Sequence, residues 1–502
     1  MTDNITGTNT INKTVSSHPL RIVQVAPDYY PIPPSNYGGI ERMIYSLTEE
    51  LVKRGHEVYL YASKGSQCSA KIINYEHTAP NPLSIADFVE KTLPDNIDII
   101  HDHTHASIVG LKKLVIPTVC TIHDSRYNPI DYPVYLSKRA LEIVGKNYGF
   151  FVYNGIDLNE YEFSEAKDDY LLFLGVLSWH KGIKEAIEVA EKTNQKLIIA
   201  GPIFNYEYYN KEIEPKIKNN PNIQYVGEVG GEQKQNLLKK AKCFLFPTSW
   251  EEPFGLVMIE AMACGTPVLA FRNGAVPEVM DGFPELICSS VDEMVLKLNS
   301  NQFPEAKLLR EYVEKNFTAA AMTEGYLKLY NKILTEEVNY NYGDKLKETG
   351  KFTEAIQYYE QFLHLTDLSK GHKIKIYNKL ADIYFDLKNS KKEREIIFKS
   401  FECGSPRAEF CCRLGYQFLQ NNELDKAIFW YELATKLERP NNHEILYESC
   451  WTWLPFLQLC ICYYKIGNLK KSYENNELAL NLSPNNEMII NNKKFLEGVL
   501  KK

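Results

Sequence analysis

The sequence lacks the features that mark several classes of protein. It has no run of about 18 apolar residues, so no membrane-spanning helix is predicted. Its 57 Lys and Arg are outnumbered by 64 Asp and Glu, and the net charge of −7 argues against a nucleic-acid-binding protein. The 11 cysteines form no two CxxC pairs at zinc-ligand spacing, and they are expected to be buried thiols. These features favour a cytoplasmic protein, with contact to a membrane surface left open.

Length and composition predict several globular domains. At roughly 100–200 residues per domain, the 502 residues correspond to about three domains. The 44% hydrophobic and 24% charged content is ordinary for globular proteins. Residues 1–19 are rich in Ser, Thr and Asn and contain no apolar core, so they are predicted to form a flexible tail and not a secretory signal.

Short apolar strands alternate with loops and helices over residues 20–150. Residues 21–27 are a predicted buried strand, a proline-rich loop ends at Gly38 and Gly39, and residues 40–54 have helical spacing. Further strands are predicted at 58–62, 97–101 and 119–123. This alternation is typical of a doubly wound α/β domain, which binds ligands beyond the carboxyl ends of its strands.

The same alternation restarts over residues 151–335. Strands are predicted at 170–175, 196–201, 223–227, 243–247 and 266–271, separated by helices. The first two thirds of the chain are therefore predicted to be two α/β domains that face each other across a cleft, and the candidate functional residues are sought there.

Several polar residues follow predicted strands and would reach this cleft. His123 ends a strand, Lys181 lies between a strand and a helix, and Gly38 and Gly39 precede a helix whose N-terminus favours an anion. Each of these also has an ordinary structural explanation. His101, His103 and His105 have spacing that could suggest a metal site, but no separate carboxylate or thiol cluster completes one, so none is predicted.

The most specific signal is a pair of glutamates around a predicted helix start. Glu252 precedes Pro253 and is placed at the helix entrance, whereas Glu260 is placed about two turns into the helix among small residues. A carboxylate inside an apolar helix needs a partner, and the two hydroxyls of a ribose would serve. The loop between the glutamates leaves free N–H groups at the helix start, which suits a diphosphate.

This E-x7-E pattern, with the motifs around it, resembles retaining glycosyltransferases of family 4 over residues 20–334. The shared motifs are Tyr37-Gly-Gly-Ile-Glu-Arg42, Thr121-Ile-His-Asp124, Asn154-Gly-Ile-Asp157, Gly175 to Gly182, Ala200-Gly-Pro202, Glu252 to Glu260 and Gly265-Thr-Pro-Val268. The resemblance implies the GT-B fold, which has two facing Rossmann-like domains. It also implies the transfer of a sugar, with retention, from a UDP-, GDP- or ADP-sugar to a glycan or protein acceptor.

The resemblance implies a role for each candidate residue. Glu260 would bind the ribose hydroxyls, Glu252 the donor sugar, and Lys181 the diphosphate. The backbone N–H groups of Phe254, Gly255 and Leu256 would share the diphosphate charge. The remaining members of the expected site are His123 beside the donor sugar, Gly38 and Gly39 closing over the ligands, and Gly201. No metal and no other cofactor is expected.

Two departures from the family pattern affect these expectations. The residue after Gly175 is commonly an Arg that helps to hold the diphosphate, but here it is Val176. Losing one of two cations in a desolvated site costs on the order of 2–3 kcal/mol. The stretch over residues 124–154, on the acceptor side, is shorter than is usual for the family, so unusual acceptor recognition is expected.

Residues 336–502 have a different pattern, which resembles tetratricopeptide repeats. Small or apolar residues recur with offsets of 12, 16 and 19 from Gly343, Ala381, Gly415 and Cys460. The second repeat is the weakest because Glu393 stands where a small residue is expected. The aromatic stretch over residues 447–464 is predicted to pack between the third and fourth helix pairs. Such a domain could bind a protein partner or acceptor, or mediate self-association.

Two other functions are compatible with parts of the sequence. Val176 and the short acceptor segment favour a degenerate fold that binds sugar nucleotides and acts as an interaction scaffold, although Glu252, Glu260, Lys181 and His123 are intact. A sugar-nucleotide epimerase or a phosphorylase with the same fold is disfavoured by the order of the motifs. Product analysis distinguishes these possibilities.

Overall fold

Seven parallel strands form a sheet in the first part of the chain. The computed structural model describes residues 19–76, 80–124, 126, 128–363, 370–440 and 446–500, so residues 1–18 of the predicted tail lie outside it. The elements are β1 (Arg21–Val25), α1 (Gly39–Lys53), β2 (Glu57–Ala62), β3 (Lys71–Asn74), α2 (Pro82–Thr92), β4 (Ile99–Asp102), β5 (Thr118–Ile122), β6 (Tyr132–Tyr135), α3 (Lys138–Ile143) and β7 (Phe150–Phe151). The strand order is β3-β2-β1-β4-β5-β6-β7. The four predicted strands are confirmed, and β3, β6 and β7 are additional.

Six parallel strands form a second sheet, in the same compact unit over residues 1–334. The elements are β8 (Leu171–Leu174), α4 (Ile183–Thr193), β9 (Leu197–Ala200), α5 (Tyr206–Tyr208), α6 (Glu214–Asn219), β10 (Ile223–Tyr225), α7 (Gly231–Lys240), β11 (Cys243–Phe246), α8 (Leu256–Ala263), β12 (Val268–Phe271), α9 (Val276–Val279), β13 (Ile287–Cys288), α10 (Val291–Ser300) and α11 (Ala306–Asn316). The strand order is β10-β9-β8-β11-β12-β13. The central strands are buried on both faces, as their continuous apolar sequences predict.

A long helix returns the chain to the first sheet. Helix α12 (Ala319–Glu348) follows the second sheet, and the side chains of Met322, Tyr326 and Tyr330 join the apolar core of the first. The Tyr330 hydroxyl lies 2.6 Å from His101 Nδ1. The sequence pattern grouped this segment with the second domain, because proximity along the chain does not reveal which core a helix joins.

The second compact unit, residues 335–502, consists of helices. After α12, in which the unit boundary falls, come α13 (Phe352–Leu363), α14 (Lys370–Asp386), α15 (Ser390–Ser400), α16 (Ala408–Gln420), α17 (Leu424–Lys436), α18 (Leu454–Lys465), α19 (Leu469–Leu482) and α20 (Glu487–Leu500). A Cβ added at Gly415 would lie 2.8 Å from the Tyr431 ring, so the small residue allows this close helix packing. No helix within the described residues is long and apolar enough to cross a membrane.

The glutamate that breaks the second repeat is buried in an ion-pair cluster. Glu393 accepts from Arg413 at 3.3 Å, and Arg413 also contacts Asp382. The Glu393 side chain is 2% exposed, and burial raises its pKa although Arg413 opposes that rise. A charged side chain therefore occupies the position of a small one because the next helix supplies the opposite charge.

Removing the shared arginine should destabilise the helical unit. Arg413→Met leaves the buried Glu393 without its cation and removes one of the two cations that pair with Asp382, so it should lower the free energy of unfolding by about 3 kcal/mol. Urea denaturation of the full chain measures this change. Lys392→Met, which removes an exposed ion pair with Glu395, is the matched control and should leave the urea midpoint nearly unchanged. Equal effects of the two substitutions would contradict a contribution of the ion-pair cluster to the stability of the helical unit.

Candidate active site

A cavity of about 180 Å³ brings most of the predicted residues together. The segment after β1 contributes one part of its lining, and the ends of β8 and β11 with the segments after β8, β9, β10 and β11 contribute the rest. Eight of the ten predicted site residues line it: Gly38, Gly39, Lys181, Gly201, Glu252, Gly255, Leu256 and Glu260. Phe254 does not, because its side chain is buried in the second core, and His123 lies outside the lining.

The start of α8 differs from the sequence prediction. The helix begins at Leu256, so Glu252 and Pro253 belong to the preceding loop, and Glu260 lies just over one turn into the helix and not about two. Gly255 precedes the helix with φ of 87°, and a Cβ there would approach the Met258 side chain to 2.6 Å. The first N–H groups of a helix have no partner within it, and Gly255, Leu256 and Val257 line the cavity, so backbone donors lie at its wall.

Lys181 and Glu252 form an ion pair inside the cavity. Lys181 ends a short turn, and Gly182 follows with φ of 80°. A Cβ on Gly182 would lie 1.9 Å from the Pro247 carbonyl oxygen, which explains the glycine. An ammonium has three donor hydrogens, so Lys181 retains donors for a phosphate beside its contact with Glu252.

Glu260 is held by two side chains that were not predicted from the sequence. Lys234 Nζ lies 2.7 Å from Oε2 and 2.8 Å from Oε1, and the Tyr161 hydroxyl donates to Oε1 at 2.8 Å. Burial alone would raise the pKa of Glu260, but the charges of Lys234 and Arg42 and the two hydrogen-bond donors hold it below its usual value. The protein therefore supplies partners for this carboxylate itself, so the burial of Glu260 does not by itself indicate a ribose.

Lys234 could have been found from helical spacing. It lies four residues before Leu238, which is the buried position of α7, so a charged residue occupies the side of the helix that faces the core. Tyr161 gives no comparable signal because it lies in an irregular segment. A carboxylate has about four acceptor sites, so Glu260 retains capacity for a further hydroxyl donor.

His123 belongs to a group of neutral histidines. Its Nε2 lies 3.4 Å from His103 Nδ1, and His103 Nε2 lies 3.2 Å from Gln24 Oε1. The His101 nitrogens lie 2.6 Å from Tyr330 and 2.6 Å from Thr121. Burial and the nearby His105 lower the pKa of His123 to about 3. His101 and His103 also have pKa values well below normal because they are buried.

These histidines should make stability depend on pH. Their pKa values in the folded chain lie below the ordinary value of about 6.5, so the unfolded chain binds more protons in the interval between. The stabilisation is complete above about pH 6.5 and is lost as the pH falls toward the folded pKa, by about 1.4 kcal/mol per pH unit for each histidine. Urea denaturation between pH 4 and 7 gives the free energy of unfolding at each pH. His123→Gln should reduce the slope of this free energy against pH by about 1.4 kcal/mol per pH unit, which corresponds to one proton. An unchanged slope would contradict the assignment.

The metal interpretation of the histidine cluster finds no support in the described residues. His101 and His103 are side by side, with ring centroids 3.8 Å apart, whereas His105 lies in the following turn and contacts Tyr29. No group of three or more His, Cys, Asp or Glu side chains that could hold a metal occurs in the part of the chain that the structure covers.

Polar contacts join the two sheet-containing halves at two places, one of them at the cavity lining and the other at the loop before Glu252. The Tyr37 N–H donates to Glu228 at 3.0 Å. On the other side, the N–H groups of Lys138 and Arg139 donate to Glu278 at 2.9 and 2.6 Å, and the Arg139 side chain reaches Glu251 at 3.2 Å. Arg139 lies in the short segment on the predicted acceptor side, so this segment is linked directly to the loop that carries Glu252.

Two facing parallel-sheet domains around a cavity with paired glutamates define the GT-B class of glycosyltransferase. Residues 158–317 match the profile described as glycosyl transferases group 1, and residues 37–159 match that of glycosyltransferase family 4. Together they span more than half of the chain, which belongs to this family of enzymes that transfer glycosyl groups. A tetratricopeptide-repeat profile matches residues 336–366 and 408–441, the regions of the first and third predicted repeats.

Known proteins similar to this chain carry the same assignment. An uncharacterized glycosyltransferase of Methanocaldococcus jannaschii is 26% identical over 327 residues, which cover 52% of this chain and 83% of the relative. An O-antigen mannosyltransferase of Escherichia coli is 20% identical over 374 residues, covering 63% of this chain and 99% of the relative. The crystal structure of AviGT4, a glycosyltransferase involved in avilamycin A biosynthesis, matches with a TM-score of 0.55 and 25% identity, covering 63% of this chain and 98% of its own.

Proposed function

We propose that the chain transfers a sugar from a nucleotide-sugar to an acceptor hydroxyl with retention at the anomeric carbon. The observation that carries the proposal is the arrangement of Lys181, Glu252, Glu260 and the start of α8 around one cavity. Glu260 accepts from the ribose, Glu252 from hydroxyls of the donor sugar, and Lys181 and the helix N–H groups neutralise the leaving diphosphate. His123 is uncharged at neutral pH and lies outside the cavity lining, and its proposed role is that of a hydrogen-bonding group near the bound donor sugar.

The proposed chemistry uses side-chain cations and a helix terminus for the diphosphate, so no metal or other cofactor is required. Three cations line the cavity: Arg42, Lys181 and Lys234. In the described residues, Lys181 and Lys234 pair with glutamates, whereas Arg42 makes no ion pair. Transfer should therefore continue in excess EDTA. Complete loss on chelation, with recovery on adding Mg²⁺, would contradict this part of the proposal.

The direct test is product analysis by NMR. The purified chain is incubated with UDP-, GDP- and ADP-sugars, and the anomeric configuration of the released or transferred sugar is read from its first spectrum. Anabaena HepE, which has this fold at 16% identity and a TM-score of 0.52, has been solved with UDP and glucose, so UDP-glucose is the first donor to try. Retention supports the proposal, and inversion, epimerised donor or a sugar phosphate would contradict it.

Restoring the expected arginine should improve donor binding. Val176 lines the cavity next to Gly175, and Val176→Arg adds a cation there. A charged hydrogen bond contributes about 1.5–3 kcal/mol, so we expect the dissociation constant of a nucleotide-sugar to fall at least about tenfold. Calorimetric titration measures this, with Val176→Gln as the uncharged control. Equal affinity of the two variants would show that the remaining cations already suffice.

A second candidate function is a scaffold that binds sugar nucleotides without turnover. It is favoured by Val176 and by the engagement of Lys181 with Glu252. Donor binding with no hydrolysis or transfer for any sugar would support it over catalysis. In either case we propose that the repeats bind a protein partner or acceptor. Truncation after Glu348 preserves α12 and should abolish that binding while donor binding remains.

A further inference from the structure

Exposed aromatic side chains lie beside the cavity without lining it. Trp179, Phe204 and Trp250 are 55%, 66% and 37% exposed, and together with His180 we call them the aromatic rim. His180 immediately precedes Lys181, and Trp250 lies two residues before Glu252. Exposed clusters of large apolar rings are unfavourable in water, and they commonly mark binding surfaces.

The rings contact each other through their edges. The centroid of the His180 ring is 5.1 Å from that of Trp250, 5.6 Å from that of Trp179 and 6.4 Å from that of Phe204. The angles between the ring planes are 46°, 83° and 81°. None of these pairs stacks face to face, and the exposed fractions of Trp179, Phe204 and Trp250 show that part of each ring remains accessible to a ligand.

Backbone hydrogen bonds fix the rim at the ends of three strands. The Ser249 N–H donates to the His180 carbonyl at 3.0 Å, and the Thr248 hydroxyl donates to the same oxygen at 3.1 Å. The Leu177 N–H donates to the Pro202 carbonyl at 2.9 Å, two residues before Phe204. The segments after β8, β9 and β11 are therefore joined, and the backbone positions that carry the rings are fixed before a ligand binds.

We propose that the aromatic rim binds the pyranose rings of a saccharide acceptor, an inference that rests on the proposed function. The acceptor hydroxyl must reach the donor sugar beside Glu252, so the rest of the acceptor extends along the edge of the cavity. One face of a pyranose carries axial C–H bonds and is apolar, while its edge carries hydroxyls. The faces of aromatic rings bind the apolar face of the pyranose. The exposed Ser249 and Glu251 side chains offer hydrogen-bonding partners to the hydroxyls at its edge.

Saturation-transfer NMR tests this assignment with the full-length protein. The probes are the methyl β-glycosides of glucose, galactose and N-acetylglucosamine and methyl α-mannoside, each measured with and without UDP. We expect saturation to be transferred from the protein to at least one glycoside, with the strongest signal at the axial C–H protons of one face. Trp250→Ala and Phe204→Ala should each weaken that binding roughly three- to tenfold. The matched control is Phe163→Ala, an exposed aromatic side chain near the distal end of α8.

Several results would overturn the saccharide assignment. The first is the absence of a saturation-transfer signal for every glycoside. The second is an unchanged signal in Trp250→Ala and Phe204→Ala. The third is a loss of signal in Phe163→Ala equal to that in the rim variants. Transfer to the apolar dipeptide acetyl-Leu-Leu-amide but to no glycoside would identify a peptide surface instead. Thermal shifts with nucleotide-sugars, measured on the same samples, separate donor binding from saccharide binding. A donor shift without glycoside binding overturns the assignment of the aromatic rim alone. The absence of any donor shift overturns the proposed function.

Discussion

Replacing Lys181 with methionine should reduce sugar transfer by about 10²- to 10³-fold. That is the usual cost of removing one preorganised donor that stabilises developing charge in a transition state. The side chain lines the cavity and contacts Glu252, and in the proposed donor complex its ammonium would contact the diphosphate. Because the effect is on the leaving group, kcat should fall more than donor affinity. Initial rates of donor hydrolysis and transfer measure both.

A neighbouring lysine provides the control for this variant. Lys184 lies three residues further along, in the first turn of α4, and its exposed side chain pairs with Glu212. Lys184→Met should leave the rate within about twofold of the unmodified chain, since surface ion pairs contribute little. A full rate in Lys181→Met, or equal losses in both variants, would contradict the role of Lys181.

Glu260→Gln should weaken nucleotide-sugar binding at least about tenfold. The amide keeps the size of the side chain, but it replaces a charged acceptor of ribose hydroxyls with a neutral one, and a charged hydrogen bond contributes about 1.5–3 kcal/mol. The substitution also leaves Lys234 without its anion, so some loss of stability is expected. Calorimetric titration separates the loss of affinity from the loss of stability.

Two further variants show whether the carboxylate itself binds the donor. Tyr161→Phe removes one hydrogen bond to Glu260 and keeps its charge, so donor affinity should change by less than about threefold. Lys234→Met removes the cation and should destabilise the folded chain. If Glu260→Gln and Tyr161→Phe weakened binding equally, the effect would come from disturbed packing around α8 and not from a lost ribose contact.

The sequence predicted the parts of the fold that depend on local patterns. Central strands such as β8 and β11 are continuous apolar runs, and the small residues of the repeats mark close helix contacts such as that of Gly415 with Tyr431. The short strands β3, β6, β7 and β13 were not predicted from the sequence because two to four residues carry little periodicity. The return of α12 to the first sheet depends on contacts over about 200 residues, such as that between Thr121 and Tyr326 at 2.9 Å.

The site was predicted less completely than the fold. Glycines and charged residues at strand ends located the cavity, because backbone geometry and ligand charge restrict those positions. Contacts between side chains from different segments were not predictable in the same way. The pairing of Glu260 with Lys234 and Tyr161 joins three distant stretches of sequence, and it supplies from within the protein the partners that burial requires.

The central claim is that this cavity binds a nucleotide-sugar through Glu260 and Lys181. The most direct measurement is a thermal-shift series with UDP-, GDP- and ADP-sugars on the unmodified chain and on Glu260→Gln. At a ligand concentration of 100 times Kd, binding stabilises the folded state by about 2.7 kcal/mol, which is readily detected. The account predicts a shift with one nucleotide class that is strongly reduced in Glu260→Gln. No shift with any donor, or an equal shift in the variant, would contradict it.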